Sequence, residues 1–147
     1  MIIRSALMKD VHSLASLSEQ LGYPLPLHIM KERLSFYQTT PGHHIMVVEE
    51  NSVIFGFVAY TITELFILQG RRCFIMGLVV DKEKRGHGIG RKLMEHVEAH
   101  AGQENCLVID LTSGKRRAPS GSHDFYRALG YGNDGAYAKL YLRKELK

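Results

Sequence analysis

The chain has 147 residues, 45% of them hydrophobic and 23% charged, which are the proportions of one ordinary globular domain and exclude a disordered tail. Its longest apolar run, 53–60, falls far short of the roughly 20 residues that a membrane span needs. Basic residues exceed acidic ones by a net +4, a mild excess that suits nucleic acid, anionic lipid or a phosphorylated small molecule, so the position of the charge has to decide.

No repeat, low-complexity tract or linker interrupts the chain, and a single domain over 1–147 is expected. Ile2-Ile3-Arg4 reads as a short strand. A helix follows over 9–21, because Val11, Leu14, Ala15, Leu17 and Leu21 keep helical spacing. Gly22 suits its C-cap and Pro24 blocks its continuation. A second helix is expected over 27–37, ended by Pro41-Gly42. The β-branched and aromatic runs 45–48 and 53–62 flank the polar turn Glu50-Asn51-Ser52 and predict an antiparallel hairpin.

The run 73–80 is nearly continuous in apolar residues, as in a strand buried on both faces. Over 89–101, Ile89, Leu93, Val97 and Ala101 make one apolar stripe of a helix. A further buried strand is expected over 106–111. Strand, glycine turn, helix and strand together predict a right-handed crossover joining parallel neighbours. A helix over 119–129, with Pro119 in its first turn and Gly130 closing it, precedes a last strand over 136–142. The expected class is mixed α/β, with one sheet and four helices.

Positive charge clusters at Arg71-Arg72, over 82–92, at Lys115-Arg116-Arg117 and at Arg143-Lys144. The second cluster surrounds the informative segment, Val79-Val80-Asp81-Lys82-Glu83-Lys84-Arg85-Gly86-His87-Gly88-Ile89-Gly90-Arg91. Glycines there let the backbone approach a ligand closely. Free N–H groups at a helix N-terminus converge on one spot at the positive end of the helix dipole, a ready phosphate site. The phosphate loop of nucleotide hydrolases is absent, since no Gly-x-x-x-x-Gly-Lys-Ser/Thr occurs. The dinucleotide fingerprint also falls short: it needs glycine where Arg91 stands, and the five charged residues 81–85 separate the turn from its strand.

Arg85-x-x-Gly88-x-Gly90, after Leu78-Val79-Val80 and before an amphipathic helix, resembles the acetyl-CoA loop of the GCN5-related N-acetyltransferases. Downstream, Phe125-Tyr126-Arg127-Ala128-Leu129-Gly130-Tyr131 resembles the second hallmark of that superfamily. The resemblance is firm from Leu78 to Tyr131 and looser outside. It implies a central mixed, mostly antiparallel sheet with a splayed parallel strand pair and about four helices. It also implies an enzyme that moves an acetyl group from acetyl-CoA, as cosubstrate, to a primary amine of a small molecule or peptide. The pyrophosphate would rest on Arg85, Gly86, His87, Gly88, Ile89, Gly90 and Arg91. The pantetheine arm would run beside Leu78, Val79 and Val80, where a backbone N–H would hold the acetyl oxygen. Tyr126 would touch the sulfur and protonate the leaving thiolate, since a phenol of pKa about 10 is still an acid at pH 7.

The sequence departs from that pattern in places. Pro119 stands where the superfamily often has an asparagine that contacts the coenzyme, and Ser122 replaces a small residue. Many members carry a glutamate base on the strand before the loop, but the matching inward positions are Phe74 and Met76, which take no proton. A catalytically silent coenzyme A-binding module is the alternative. If a side chain did act as base, Glu64 and His12 would be examined first.

Other features receive plainer readings. His96 and His100 have metal-ligand spacing but no third ligand, so they are expected to face solvent and no metal is expected. His43-His44 is expected on a loop surface. No aromatic residue interleaves the basic clusters, so neither nucleic acid nor a membrane is an expected partner. The acceptor should be bounded by the 22–27 connection, the 53–62 strand and Asn133-Asp134-Gly135, with Tyr23, Tyr60 and Glu64 as polar tips. A homodimer is compatible with the chain. Cys73 and Cys106 share no short metal or redox spacing, and Arg4, Lys9 and Asp10 break the apolar run that a secretory leader needs, so a reducing cytoplasm is expected.

Overall fold

Five strands form one sheet in chain order: β1 (Ile2–Ser5), β2 (His43–Glu50), β3 (Val53–Glu64), β4 (Arg71–Val80) and β5 (Cys106–Leu111). The first four pair antiparallel, and β4 and β5 run parallel. Three helices accompany them: α1 (Val11–Leu21), α2 (Leu27–Thr39) and α3 (Ile89–Gln103). The structure is a computed structural model that describes residues 1–114 and 121–147. These fall into two compact units, Met1–Leu111 and Thr112–Lys147. Among the described residues, no helix is long and apolar enough to cross a membrane.

In the first unit each strand's alternation sends side chains to opposite faces of the sheet. Val47, Phe57 and Val79 join Leu14, Leu17, Met30 and Leu34 in a core beneath α1 and α2. Val48, Val58 and Tyr60, of the other alternation, are buried on the side of α3, whose Leu93, Met94, Val97 and Ala101 are also buried. Each such Val, Leu, Met or Phe side chain contributes about 1.5–3 kcal/mol by leaving water. The β2–β3 turn holds Asn51 and Ser52 at φ +51 and +64, the left-handed pair that a two-residue hairpin turn requires. Gly56 lets β3 and β4 approach: a Cβ there would stand 2.7 Å from the Val79 carbonyl oxygen.

The strands and helices overlap the expected spans, mostly with longer ends. β2 starts at His43 rather than at 45, so His43 and His44 are half-buried strand residues and not loop surface. A bidentate ion pair fixes the start of the chain: Arg4 donates to both oxygens of buried Asp10 at 2.8 and 3.0 Å and to Glu49 at 2.9 Å.

In the second unit α4 spans Ser122–Ala128. The expected start of this helix, including Pro119, and the Lys115-Arg116-Arg117 cluster lie outside the described residues. Two bonds cap its end, Gly130 N–H to the Arg127 carbonyl and Tyr131 N–H to the Tyr126 carbonyl, with Gly130 at φ +96. This is a Schellman cap. The expected strand over 136–142 does not form. Gly135–Tyr137 is a short 3-10 turn instead. Beyond it, the Asn133 side-chain amide takes both backbone groups of Lys139 at 2.6 Å, so neither is free for a ladder.

Candidate functional site

β4 loses its parallel partner halfway along. The ladder with β5 ends at Ile75↔Leu111, and past it the β5-side edge of residues 76–80 has no ladder partner among the described residues. The opposite edge stays paired with β3 as far as Gly56↔Val80. A bulge marks the change: Ala59 faces Gly77 and Tyr60 faces Ile75, leaving Met76 as the extra residue. Bulges bend a strand and increase its twist. Leu78, Val79 and Val80 therefore lie on a strand with one free edge.

The bulge corrects the expectation for Phe74 and Met76. They do not share an inward face, because the extra residue breaks the alternation and Met76 is 54% exposed. Phe74 lies under the Arg72 guanidinium at 4.6 Å, and Arg72 is clamped bidentately by Asp110 at 2.7 and 2.8 Å. Asp110 is the carboxylate in register with Phe74, but the ion pair occupies it.

After Val80 the chain is tied down before it becomes glycine-rich. The Asp81 N–H donates to the Phe55 carbonyl at 2.7 Å, and the Lys82 N–H donates to Gln20 Oε1 at 2.9 Å. Asp81 Oδ1 accepts the Glu83 N–H at 2.9 Å and caps a short 3-10 turn, Lys82–Lys84. The Lys84 ammonium stands 4.8 Å above the Phe55 ring. Arg85 Nε donates to the Val80 carbonyl at 3.1 Å, and His87 Nδ1 lies 3.2 and 3.1 Å from the Lys84 and Arg85 carbonyls.

Gly86 and Gly88 follow at φ +83 and +78. Gly88 is the N-cap of α3, and no side chain caps the helix. Its carbonyl takes the Lys92 N–H at 3.1 Å, so the N–H groups of Ile89, Gly90 and Arg91 have no acceptor within the helix. Ile89 is buried and anchors the turn, whereas residues 82–88 and the side chains of Arg91 and Lys92 are exposed. Among the described residues, a Cβ on Gly86 or Gly88 would meet nothing within 4 Å. The turn is an open, positive, donor-rich surface at the end of a half-free strand.

The other expected site residues are placed as follows. Tyr126 lies in α4, half-buried and edge-on to Phe125 and Tyr131, with ring centroids 5.1 and 6.1 Å away. Glu64 ends β3 and pairs with Arg71 at 2.8 Å, the opposite end of β4 from the glycine turn. His12 is exposed on α1 and lines a cavity of about 280 Å³ with Ser13, Ser16 and Asp81. Tyr60 is no polar tip facing an acceptor. It is fully buried, and its hydroxyl bonds to His100 Nδ1 at 2.7 Å. Burial pushes its phenol well above the ordinary value.

His96 and His100 are half-buried rather than solvent-facing. His100 packs edge-on to His44 at 4.7 Å, and His44 stacks on Tyr60 at 5.1 Å. Burial, with His100 nearby, lowers the pKa of both His44 and His96. Among the described residues, no group of three His, Cys, Asp or Glu side chains is placed to hold a metal. These long-range pairings, like the Gln20–Lys82 bond, leave no local sequence signal. The bulge had one, the glycine inside an apolar strand run.

The family model described as "Acetyltransferase (GNAT) family" matches residues 9–131, a span that runs through both units. No curated protein matches the sequence significantly. Solved structures of similar fold include a GNAT family acetyltransferase from Staphylococcus aureus, with 22% identity, TM-score 0.75, and 96% of this chain and 98% of that one covered. Glucosamine-6-phosphate N-acetyltransferase from Arabidopsis thaliana has 21% identity and TM-score 0.80, over 99% of this chain and 98% of its own. A transcriptional regulator from Bacillus halodurans has 23% identity and the same TM-score of 0.80, over 96% of this chain and 99% of its own.

Proposed function

The chain belongs to the GNAT acetyltransferase family, and from that premise we propose that it is a single-domain N-acetyltransferase using acetyl-CoA to acetylate a primary amine. The observation that carries this reading is the uncapped start of α3, where the N–H groups of Ile89, Gly90 and Arg91 have no acceptor within the helix and follow the part of β4 that has no β5 partner among the described residues. A pyrophosphate is the group such a turn suits, because its charge meets both the donors and the helix dipole. Backbone from Arg85 to Arg91 would hold it, and the Arg85 and Arg91 side chains would add charge. The pantetheine amides would use the backbone groups of Leu78, Val79 and Val80 that β5 leaves unpaired.

On this reading the amine nitrogen attacks the thioester carbonyl carbon directly. A backbone N–H of β4 stabilises the oxygen as it becomes negative, the usual service of an oxyanion site. The C–S bond then breaks, and Tyr126 gives its proton to the departing thiolate. The attacking nitrogen loses a proton in turn. Phe74 and Met76 cannot accept it, and Asp110 is held by Arg72. The proton therefore leaves through water, or the amine binds already neutral.

Phe74, which takes no proton, and Asp110 beside it, held by Arg72, favour a second reading, a coenzyme A-binding module without turnover. Calorimetric titration with coenzyme A, followed by thiol release from acetyl-CoA over amines, amino acids, polyamines, aminophosphonates and peptides, separates the two. Binding with amine-dependent release supports the enzyme, binding without release supports the module, and no binding removes both.

A further inference from the structure

The last turn of α1 touches two places that the proposed reaction uses. Gln20 Oε1 accepts the Lys82 N–H at 2.9 Å, across 62 positions of sequence. The next side chain, Leu21, lies over β4, where a Cβ on Gly77 would come within 3.5 Å of its Cδ2. Gly77 follows the bulge residue Met76 and stands on the free part of the strand. The helix then stops at Gly22, φ +100, with the Gly22 and Tyr23 N–H groups donating to Glu19 and Ser18 at 3.0 Å each. Buried Ser18 adds its hydroxyl to the Tyr23 carbonyl at 2.6 Å. The connection 22–26 thus starts rigidly from α1, and all of its residues are exposed.

An exposed loop N–H can always turn to water, so a fixed protein acceptor for Lys82 is a specific link. The 3-10 turn Lys82–Lys84 is stiffened by its Asp81 cap, and it leads directly into Gly86 and Gly88. Any resettling of the glycine turn around an anion moves the Lys82 amide, and Gln20 is the group that would feel it. The body of α1 is anchored by buried Val11, Leu14, Leu17 and Ser18. What freedom remains therefore lies in the exposed connection beyond it.

We infer that Gln20 is a positioning residue that couples the coenzyme turn to the 22–26 connection, so that filling the turn stiffens the acceptor side. The inference rests on the reading of 85–91 as the coenzyme site. The link has the size of one net hydrogen bond, about two- to tenfold in an equilibrium. Gln20→Met keeps the length and removes the amide acceptor, whereas Gln20→Glu keeps an acceptor for the Lys82 N–H.

Hydrogen–deuterium exchange on the full chain, with and without saturating coenzyme A, tests this alongside calorimetry on the same samples. In the wild type, coenzyme A should slow exchange over both 82–91 and 22–27. Gln20→Met should bind within about tenfold of the wild type, keep the protection over 82–91 and lose it over 22–27. Gln20→Glu should restore it. Protection over 22–27 that persists in Gln20→Met, or that is missing in a wild type that binds coenzyme A, overturns the coupling. A wild type that does not bind coenzyme A overturns the functional reading, and the coupling with it.

Discussion

Gly88 meets two demands at once: a backbone at φ +78 and a helix start with no competing side chain. A β-branched residue is a true outlier at positive φ, and such strain costs on the order of 1–3 kcal/mol. A Cβ there meets nothing within 4 Å among the described residues, so the penalty in Gly88→Val follows from its backbone conformation. The variant should keep its circular dichroism, melt at a lower temperature and lose most coenzyme A affinity by calorimetry. Wild-type affinity would remove the backbone cradle. In the proposed mechanism Tyr126 supplies a single proton. Tyr126→Phe keeps the ring against Phe125 and Tyr131, so coenzyme binding should survive while the turnover rate falls by about 10²–10⁴. Full turnover in the folded variant would pass the role of acid to water or to another group.

Among the elements, those with strong local signals were legible in the sequence: the α1 stripe with Gly22 as its stop, the Asn51-Ser52 turn and the glycine turn into α3, whereas β5 forms over the expected span but is not the buried strand its apolar run predicts, since Leu107 and Val108 are exposed. The C-terminal strand was not legible, because alternation over 136–142 says nothing of the Asn133 side chain that occupies the Lys139 backbone. The parallel edge was legible as a pair, but its opening at Met76 depends on register, which propensity does not encode. The candidate site followed the same division. Its glycines follow one another locally at the start of α3, whereas Gln20 and the His44–Tyr60–His100 packing join residues far apart in sequence. That packing has a consequence for α3, which it holds against β2 and β3. The groups facing it are His43 and His44 of β2, Tyr60 of β3, Arg71 and Cys73 of β4, and His96, His100 and Glu104 of α3. Burial depresses the folded-state pKa of His44 and His96, so the unfolded chain binds more protons and stability rises with pH. The contribution is whole above about pH 6.5, the ordinary histidine value, and is lost as pH falls from there toward the lowered values. Thermal melts should show the midpoint dropping between neutral and mildly acidic pH, with a flatter slope in His44→Phe. An unaltered slope in that variant would assign the dependence to other groups. Asp10 works in a lower window: the Arg4 hydrogen bonds depress its carboxyl, so its contribution disappears only as it is protonated below the ordinary carboxylate range.

For the molecule as a whole, the basic residues behind the net charge of +4 fall in four clusters, of which 82–92 surrounds the glycine turn, and the family match spans both compact units. In the proposed mechanism no side chain acts as base, and the pH dependence then belongs to the acceptor. The rising limb of kcat/KM should move with the pKa of the amine, because a lysine-like ammonium of pKa about 10.4 is almost wholly protonated at pH 7. A limb fixed near pH 6–7 for every acceptor would report an enzyme group instead, and His12 would be the first to replace, ahead of Glu64 with its Arg71 partner. The central claim, that this chain passes acetyl from acetyl-CoA to an amine, is tested most directly by thiol release from acetyl-CoA in the presence and absence of each amine in a broad panel. The account predicts release that depends on at least one amine and collapses in Tyr126→Phe. Firm coenzyme A binding with no amine-dependent release from any member of the panel would contradict it.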